Sequence, residues 1–287
     1  FGFLDSNAPL ALLMGVGEAG AANKQRALEE EARRDAVRMR PRWAGLSSEC
    51  GHVLSATAAE VRLHARGSPD RSRVLFACKE GEQISAFHAM GHMALSVVGT
   101  TSGALHFLTY RSGSTSHTYS GSCFAAEGGL NTAAAIRTVK ICDKDGRVYV
   151  GTEQGQVLVF EVGPGFPLLK QLAHAEDSSP VTCLHRDAGL LAVGTQQGLV
   201  HVYTLDRLRF AGTVDTTWVL PEAQGVESAA AHALHQVRLF AAPGHGDDPT
   251  PQPRLLTVSA HGRLLFWGLH LREQGDRLDR IELLLNG

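Results

Sequence analysis

The residues whose spacing most resembles a chemical site form the stretch "GVGEAG", with Gly15, Gly17 and Gly20 in a G-x-G-x-x-G pattern. Such a loop lets backbone N–H groups and a helix N-terminus cradle a pyrophosphate. A dinucleotide site also needs a covering helix, then a second parallel strand ending in Asp or Glu to hold the ribose hydroxyls. The helix candidate Ala21 to Arg40 is heavily charged, and its apolar stripe (Leu28, Ala32, Ala36, Met39) is too thin to cover a parallel sheet. Pro41 stops it, and the next strand, around His52 to Leu54, leads into a β-meander with no acidic residue at its end. The sequence therefore favours a turn leading into a solvent-exposed helix, with no cofactor. A nucleotide-binding enzyme using this loop is the alternative.

The remaining candidate chemistry is thin. His88 with His92 ("HAMGH") and His232 with His235 ("HALH") need helical geometry to converge on a metal, yet both pairs fall in segments that read as strands and turns. "DKDG", Asp143 to Gly146, lacks calcium-loop spacing and reads as a hairpin. No G-x-x-x-x-G-K-[ST], H-E-x-x-H or G-x-S-x-G is present. The expectation is no catalytic residue and no metal.

Composition bounds what can position such residues. A chain of 287 residues, 44% hydrophobic and 20% charged, can build a sizeable core. A net charge of -2 with dispersed Lys and Arg argues against a primary role on nucleic acid or directly on a membrane. The basic cluster "RRDAVRMRPR", Arg33 to Arg42, keeps a nucleic-acid-binding alternative open. Cys50, Cys78, Cys123, Cys142 and Cys183 are odd in number and lack C-x-x-C spacing, which suggests reduced thiols in a cytoplasmic or other intracellular setting. No apolar run reaches the roughly 18 residues of a membrane helix, and "PLALLMGVG" lacks the flanks of a signal peptide.

Internal repetition is the strongest signal. "VVGTTSGALHFLTY" (Val97 to Tyr110), "YVGTEQGQVLVFEV" (Tyr149 to Val162) and "AVGTQQGLVHVYTL" (Ala192 to Leu205) share one form: apolar strand, Gly-Thr, polar turn, glycine, second strand. "TVSAHGRLLFWGL" (Thr257 to Leu269) is a fourth copy with a shorter turn, and "VLSATAAEVRLH" (Val53 to His64) a fainter fifth. The turn anchors Ala59, Gly103, Gly155, Gly198 and Gly262 are 44, 52, 43 and 64 residues apart. About 40–45 residues suits a four-stranded blade. Arg111 to Gly129 and Pro243 to Pro253, rich in Ser, Gly or Pro, read as loops filling the longer gaps.

Two residues past each anchor stand Val61, Leu105, Val157, Val200 and Leu264, and four past stand Leu63, Phe107, Val159, Val202 and Phe266. That spacing puts an apolar row on one strand face, able to pack on the next blade. The position between them is mixed (Arg62, His106, Leu158, His201, Leu265), as on a face only partly covered.

From Cys50 to His270 these residues resemble the WD-repeat β-propellers, most clearly from Leu172 to Asp206. Ala173-His174 stand where that family has Gly-His, and Tyr203-Thr204 where it has Trp-Asp. Phe160 and Trp267 hold the aromatic position in two other copies, Leu108 and His64 in the rest; Gln197, Gln154, Ser102 and His261 replace the family's acidic turn residue. The copies are degenerate, so blade packing must rest on the apolar alternation.

The expected fold is all-β, a propeller of four-stranded antiparallel blades with a short N-terminal helix. Residues 1–45 would hold a strand, glycine turn and charged helix, and 46–287 the blades. The blade count lies between five and seven, with an incomplete ring as an alternative; "ALLMGVGEAGA" and the tail "RIELLLNG" are candidates for further strands. The resemblance implies a non-catalytic scaffold or complex subunit. It would bind other proteins through face loops after each fourth strand, namely Arg111 to Gly129, Gly163 to Asp177 and Asp206 to Gln224, and through the 21–40 helix.

Overall fold

The computed structural model describes residues 26–27, 29–30, 43–47, 52–65, 68–91, 93–109, 117–119, 134–173, 178–217, 232–243, 251–272 and 277–286. Among these residues twenty strands form five four-stranded antiparallel sheets, each a meander in chain order. The first holds β1 (Trp43–Ser47), β2 (His52–Ala56), β3 (Glu60–Ala65) and β4 (Ser68–Ala77). The second holds β5 (Ile84–Met90), β6 (Leu95–Thr100), β7 (Leu105–Thr109) and β8 (His117–Tyr119). The third holds β9 (Ile136–Cys142), β10 (Arg147–Thr152), β11 (Val157–Glu161) and β12 (Leu168–Leu172). The fourth holds β13 (Val181–Asp187), β14 (Leu190–Thr195), β15 (Leu199–Thr204) and β16 (Phe210–Asp215). The fifth holds β17 (Leu234–Ala242), β18 (Gln252–Ser259), β19 (Leu264–Leu271) and β20 (Leu278–Asn286).

The first strands of successive sheets lie side by side, β1 by β5, β5 by β9, β9 by β13 and β13 by β17, so the sheets radiate from a common axis as propeller blades do. Among the described residues the ring is not closed. The first sheet begins at Trp43, slightly before the boundary drawn at residue 46.

Each repeated stretch is the hairpin of second and third strands. Gly103, Gly155, Gly198 and Gly262 hold its turn at φ of 86°, 75°, 85° and 79°, a left-handed conformation that costs glycine nothing. Beside each turn a hydroxyl closes the loop: Thr100 Oγ1, Thr152 Oγ1, Thr195 Oγ1 and Ser259 Oγ accept from the backbone N–H of Ala104, Gln156, Leu199 and Arg263 at 3.1–3.2 Å.

Sequence reasoning placed the fourth strand before the face loops, and the structure moves it. Each supposed loop contains the fourth strand itself: β8 within 111–129, β12 within 163–177 and β16 within 206–224. These outermost strands carry weak apolar patterning, "LLKQL" and "FAGTVD", because solvent covers much of them. The tail "RIELLLNG" likewise falls in β20, which completes the fifth sheet and starts no further blade.

The core lies between sheets. Leu54, Ala56 and Val61 of the first sheet pack on Ile84, Phe87, Val98 and Leu108 of the second. Leu95, Val97, Leu105 and Phe107 of the second pack on Ile136, Val139, Ile141, Leu158 and Phe160 of the third. Tyr149, Val157 and Val159 meet Val181, Leu184, Leu191, Val193 and Tyr203. Leu190, Ala192, Val200 and Val202 meet Leu234, Val237, Leu255, Leu265 and Trp267. The residues two and four past the anchor thus face the next sheet. The intervening position faces the preceding one, where Leu158, His201 and Leu265 are buried more fully than a partly covered face implies.

The glycine of each Gly-Thr pair sets how closely neighbouring sheets approach. A Cβ on Gly99 would lie 2.3 Å from Ile136 Cγ2 and one on Gly151 2.5 Å from Val181 Cγ1, both of the next sheet; one on Gly194 would lie 2.5 Å from Cys183 Sγ of its own sheet and 3.1 Å from Val237 Cγ1 of the next. No side chain fits there. The turn hydroxyls align Val258 with these three glycines on the fifth sheet, since it precedes Ser259 as Gly99 precedes Thr100.

Candidate functional site

Most residues singled out for chemistry lie away from any shared site. Gly15, Gly17 and Gly20 lie outside the described residues, as does His92. Of the 21–40 helix, Arg26, Ala27, Glu29 and Glu30 are described, and they are helical and exposed. His88 lies on β5, His235 on β17, and Asp143 to Gly146 form the turn between β9 and β10. Among the described residues no three His, Cys, Asp or Glu side chains group as a metal site, and no helix is long and apolar enough to cross a membrane. The blade aromatics are core: Phe160, Tyr203 and Trp267 are buried against the preceding sheet. The Trp267 indole N–H donates to Thr257 Oγ1 at 3.1 Å on the neighbouring strand.

One open depression, about 640 Å³, lies at the first two sheets and is lined by Lys79, Glu82, Thr101, Ser102 and His106. A serine, a histidine and a carboxylate meet there without forming a relay. Ser102 Oγ donates to Glu82, and His106 lies tilted at 42° against Phe76, ring centres 4.5 Å apart, with both ring nitrogens unpartnered. Burial holds His106 below its ordinary pKa. The hydroxyl is tied to the Glu82 carboxylate and not to the imidazole, so the three side chains do not line up as a serine–histidine–acid relay.

The inner strands carry an arrangement that spacing in the sequence did not flag. The fifth residue of β5, β9, β13 and β17 is His88, Lys140, His185 and Arg238. Lys140 Nζ lies 3.4 Å from His88 Nε2, and Arg238 Nη1 3.3 Å from His185 Nε2. These bases sit about 50 residues apart in sequence; only aligning the copies strand by strand brings them into one row.

The two outer faces of the arc differ in kind. On the first sheet the positions three and five past the anchor, Leu265 and Trp267 in the fifth sheet, are Arg62 and His64. Arg62 pairs with Glu60 and donates to Ser72 Oγ at 3.1 Å, and His64 Nε2 shares a 2.7 Å hydrogen bond with Ser55 Oγ. On the fifth sheet, cross-strand pairing sets Leu256 beside Phe266 and Val258 beside Leu264 on the face turned away from the fourth sheet. Leu264 is 41% exposed, whereas Val61, Leu105, Val157 and Val200 at the same position are at most 1% exposed. Arg238 and Arg254 flank this face on one side and Glu282 on the other.

No family model and no curated protein matches the sequence. Solved structures do match. Raptor from Chaetomium thermophilum superposes with a TM-score of 0.55 at 15% identity, over 86% of this chain and 21% of that one. The β-propeller domain of Cps50 (Swd1) from Myceliophteria thermophila superposes with a TM-score of 0.56 at 12% identity, over 79% and 70%. This chain therefore spans about a fifth of the Raptor chain's length. At such identity the likeness establishes the fold, a β-propeller.

Proposed function

We propose that this chain is a non-catalytic protein-interaction scaffold, one piece of a larger intracellular assembly, which docks a partner on the outer face of its fifth sheet. The observation that carries this reading is the asymmetry of the arc. Repeat arrays end in polar faces where they meet solvent. The first sheet sets Arg62 and His64 beside the smaller exposed Val53 and Val74; the fifth instead presents Leu256, Val258, Leu264 and Phe266, with no charged side chain among them. Val258 stands where the second, third and fourth sheets have glycine and the first has Ala56, so the occupant sits further out than a sheet of this repeat does. A partner's sheet or loop with an apolar centre and rim charges opposing Arg254 and Glu282 fits that description. Propeller structures as neighbours support the scaffold reading by fold. The intracellular setting is supported by the buried Cys142 and Cys183 being free thiols.

The test is affinity purification of the tagged full-length protein from its native cell, with mass spectrometry, for the natural chain and for Leu264→Asp/Phe266→Asp. Both substitutions lie on the open face, so the chain folds. The natural chain should recover stoichiometric partners that the variant loses. Recovery of a lone monomer in both cases would overturn the proposal.

A further inference from the structure

We propose that the inner strands form an oxyanion site of the phosphate class, built from two equivalent donor pairs, His88 with Lys140 and His185 with Arg238. The inference goes beyond the docking reading and uses different residues, save that Arg238 also borders the docking face.

The chemistry follows from which atoms can accept. The backbone N–H of Leu239 donates to His185 Nδ1 at 3.0 Å, and that of Ile141 donates to His88 Nδ1 at 3.4 Å. A backbone amide is always a donor, so each Nδ1 carries the lone pair and each neutral ring holds its proton on Nε2. The His185 Nε2–H then faces the Arg238 guanidinium at 3.3 Å, and the His88 Nε2–H faces the Lys140 ammonium at 3.4 Å. Guanidinium and ammonium have no acceptor either. Each pair is therefore two donors meeting head to head, a contact that becomes favourable once an acceptor stands beside both.

Two features give that acceptor its charge and class. The pairs repeat two sheets apart, and the acceptor facing Arg238 is neutral, the Gln236 amide oxygen at 2.9 Å from Nε and 3.0 Å from Nη2, which leaves Nη1 beside His185. Asp187, the acid that acts on His185, is engaged with Lys144 at 3.9 Å. The pairs also lie within electrostatic reach of each other, since Arg238 acts on Lys140 and Lys140 on His185. A phosphate group has several oxygens to accept from both members of a pair, and a polyphosphate can engage both pairs. His88, Lys140 and His185 are half-buried and Arg238 is exposed, so a ligand can reach them.

The experiment is isothermal titration of the full chain with inorganic diphosphate and tripolyphosphate at constant ionic strength, at pH 7.5 and 5.5. Saturable binding is expected, tighter for tripolyphosphate and no tighter at the lower pH, because each ring already holds its Nε2 proton and its Nδ1 is taken by a backbone N–H. Lys140→Met and Arg238→Met should each weaken it about tenfold or more, the loss of one charge-assisted hydrogen bond. Arg280→Met, on the outer strand β20, should leave it unchanged, and so should Leu264→Asp/Phe266→Asp, which separates this site from the docking face. Thermal melts of each variant show that the fold is intact; both Met substitutions relieve repulsion between like charges. Absence of saturable binding, or binding that Lys140→Met and Arg238→Met leave untouched in folded protein, would overturn the proposal.

Discussion

At the scale of single residues, close contacts and titration decide what can be changed. The Val-Gly-Thr triplets are visible in the sequence, but the reason for their glycine is not, because the atoms that would clash come from the inner strand beside it and from the next sheet. Gly151→Ala forces a methyl to within 2.5 Å of Val181 and 2.7 Å of Thr138. Overpacking of this kind costs about 1–3 kcal/mol. Gly163, with open space around its Cα, is the control. Chemical denaturation should show a lowered midpoint for Gly151→Ala and little change for Gly163→Ala.

Titration gives a second prediction at this scale. Burial, then the neighbouring Lys140, pushes His88 down to about 4 from 6.5. Burial, then Arg238 and Lys140, pushes His185 down to about 4, with Lys144 adding to this and Asp187 opposing it. Between pH 6.5 and 4 the unfolded chain holds protons that the folded chain refuses, so stability is full at pH 7 and falls on acidification through that window. Solvent screening reduces the effect for the half-exposed His185. A drop in thermal midpoint of about 5 °C is expected between pH 7 and 4.5, and it should shrink in His88→Gln/His185→Gln. A midpoint independent of pH would contradict the assignment.

At the scale of elements, the hairpins of second and third strands were legible and the fourth strands were not. A hairpin covered on both faces keeps apolar side chains along most of its length, as "VLVF" of β11 does. An outermost strand such as β12, "LLKQL", meets solvent and keeps little of that pattern. The row of inner-strand bases was illegible for a different reason, since one residue per sheet makes no motif until the copies are aligned. On β19 the two faces can be separated by a one-residue step. Trp267 is buried against the fourth sheet, and Phe266 points to the open side. Trp267→Ser should cost about 3–5 kcal/mol and Phe266→Ser about 1 kcal/mol or less, read from urea unfolding. Equal losses would mean that both faces are covered within the chain.

At the scale of the whole molecule, the fold class followed from the period and the alternation, while ring closure and function did not. A propeller blade looks the same in sequence whether its neighbour is its own chain or another. The distinguishing signal is the contrast between the Arg62 and His64 face at one end of the arc and the Leu264 and Phe266 face at the other, and it takes the strand register to see it. That contrast is the basis for reading the chain as a scaffold.

Hydrogen exchange across the fifth sheet tests this most directly, comparing the free full-length chain with the same chain in the assembly purified from its native cell. Slowed exchange concentrated in β18, β19 and β20, from Gln252 to Asn286, is the predicted result. Unchanged exchange there, with protection on the first sheet or on none, would contradict the account.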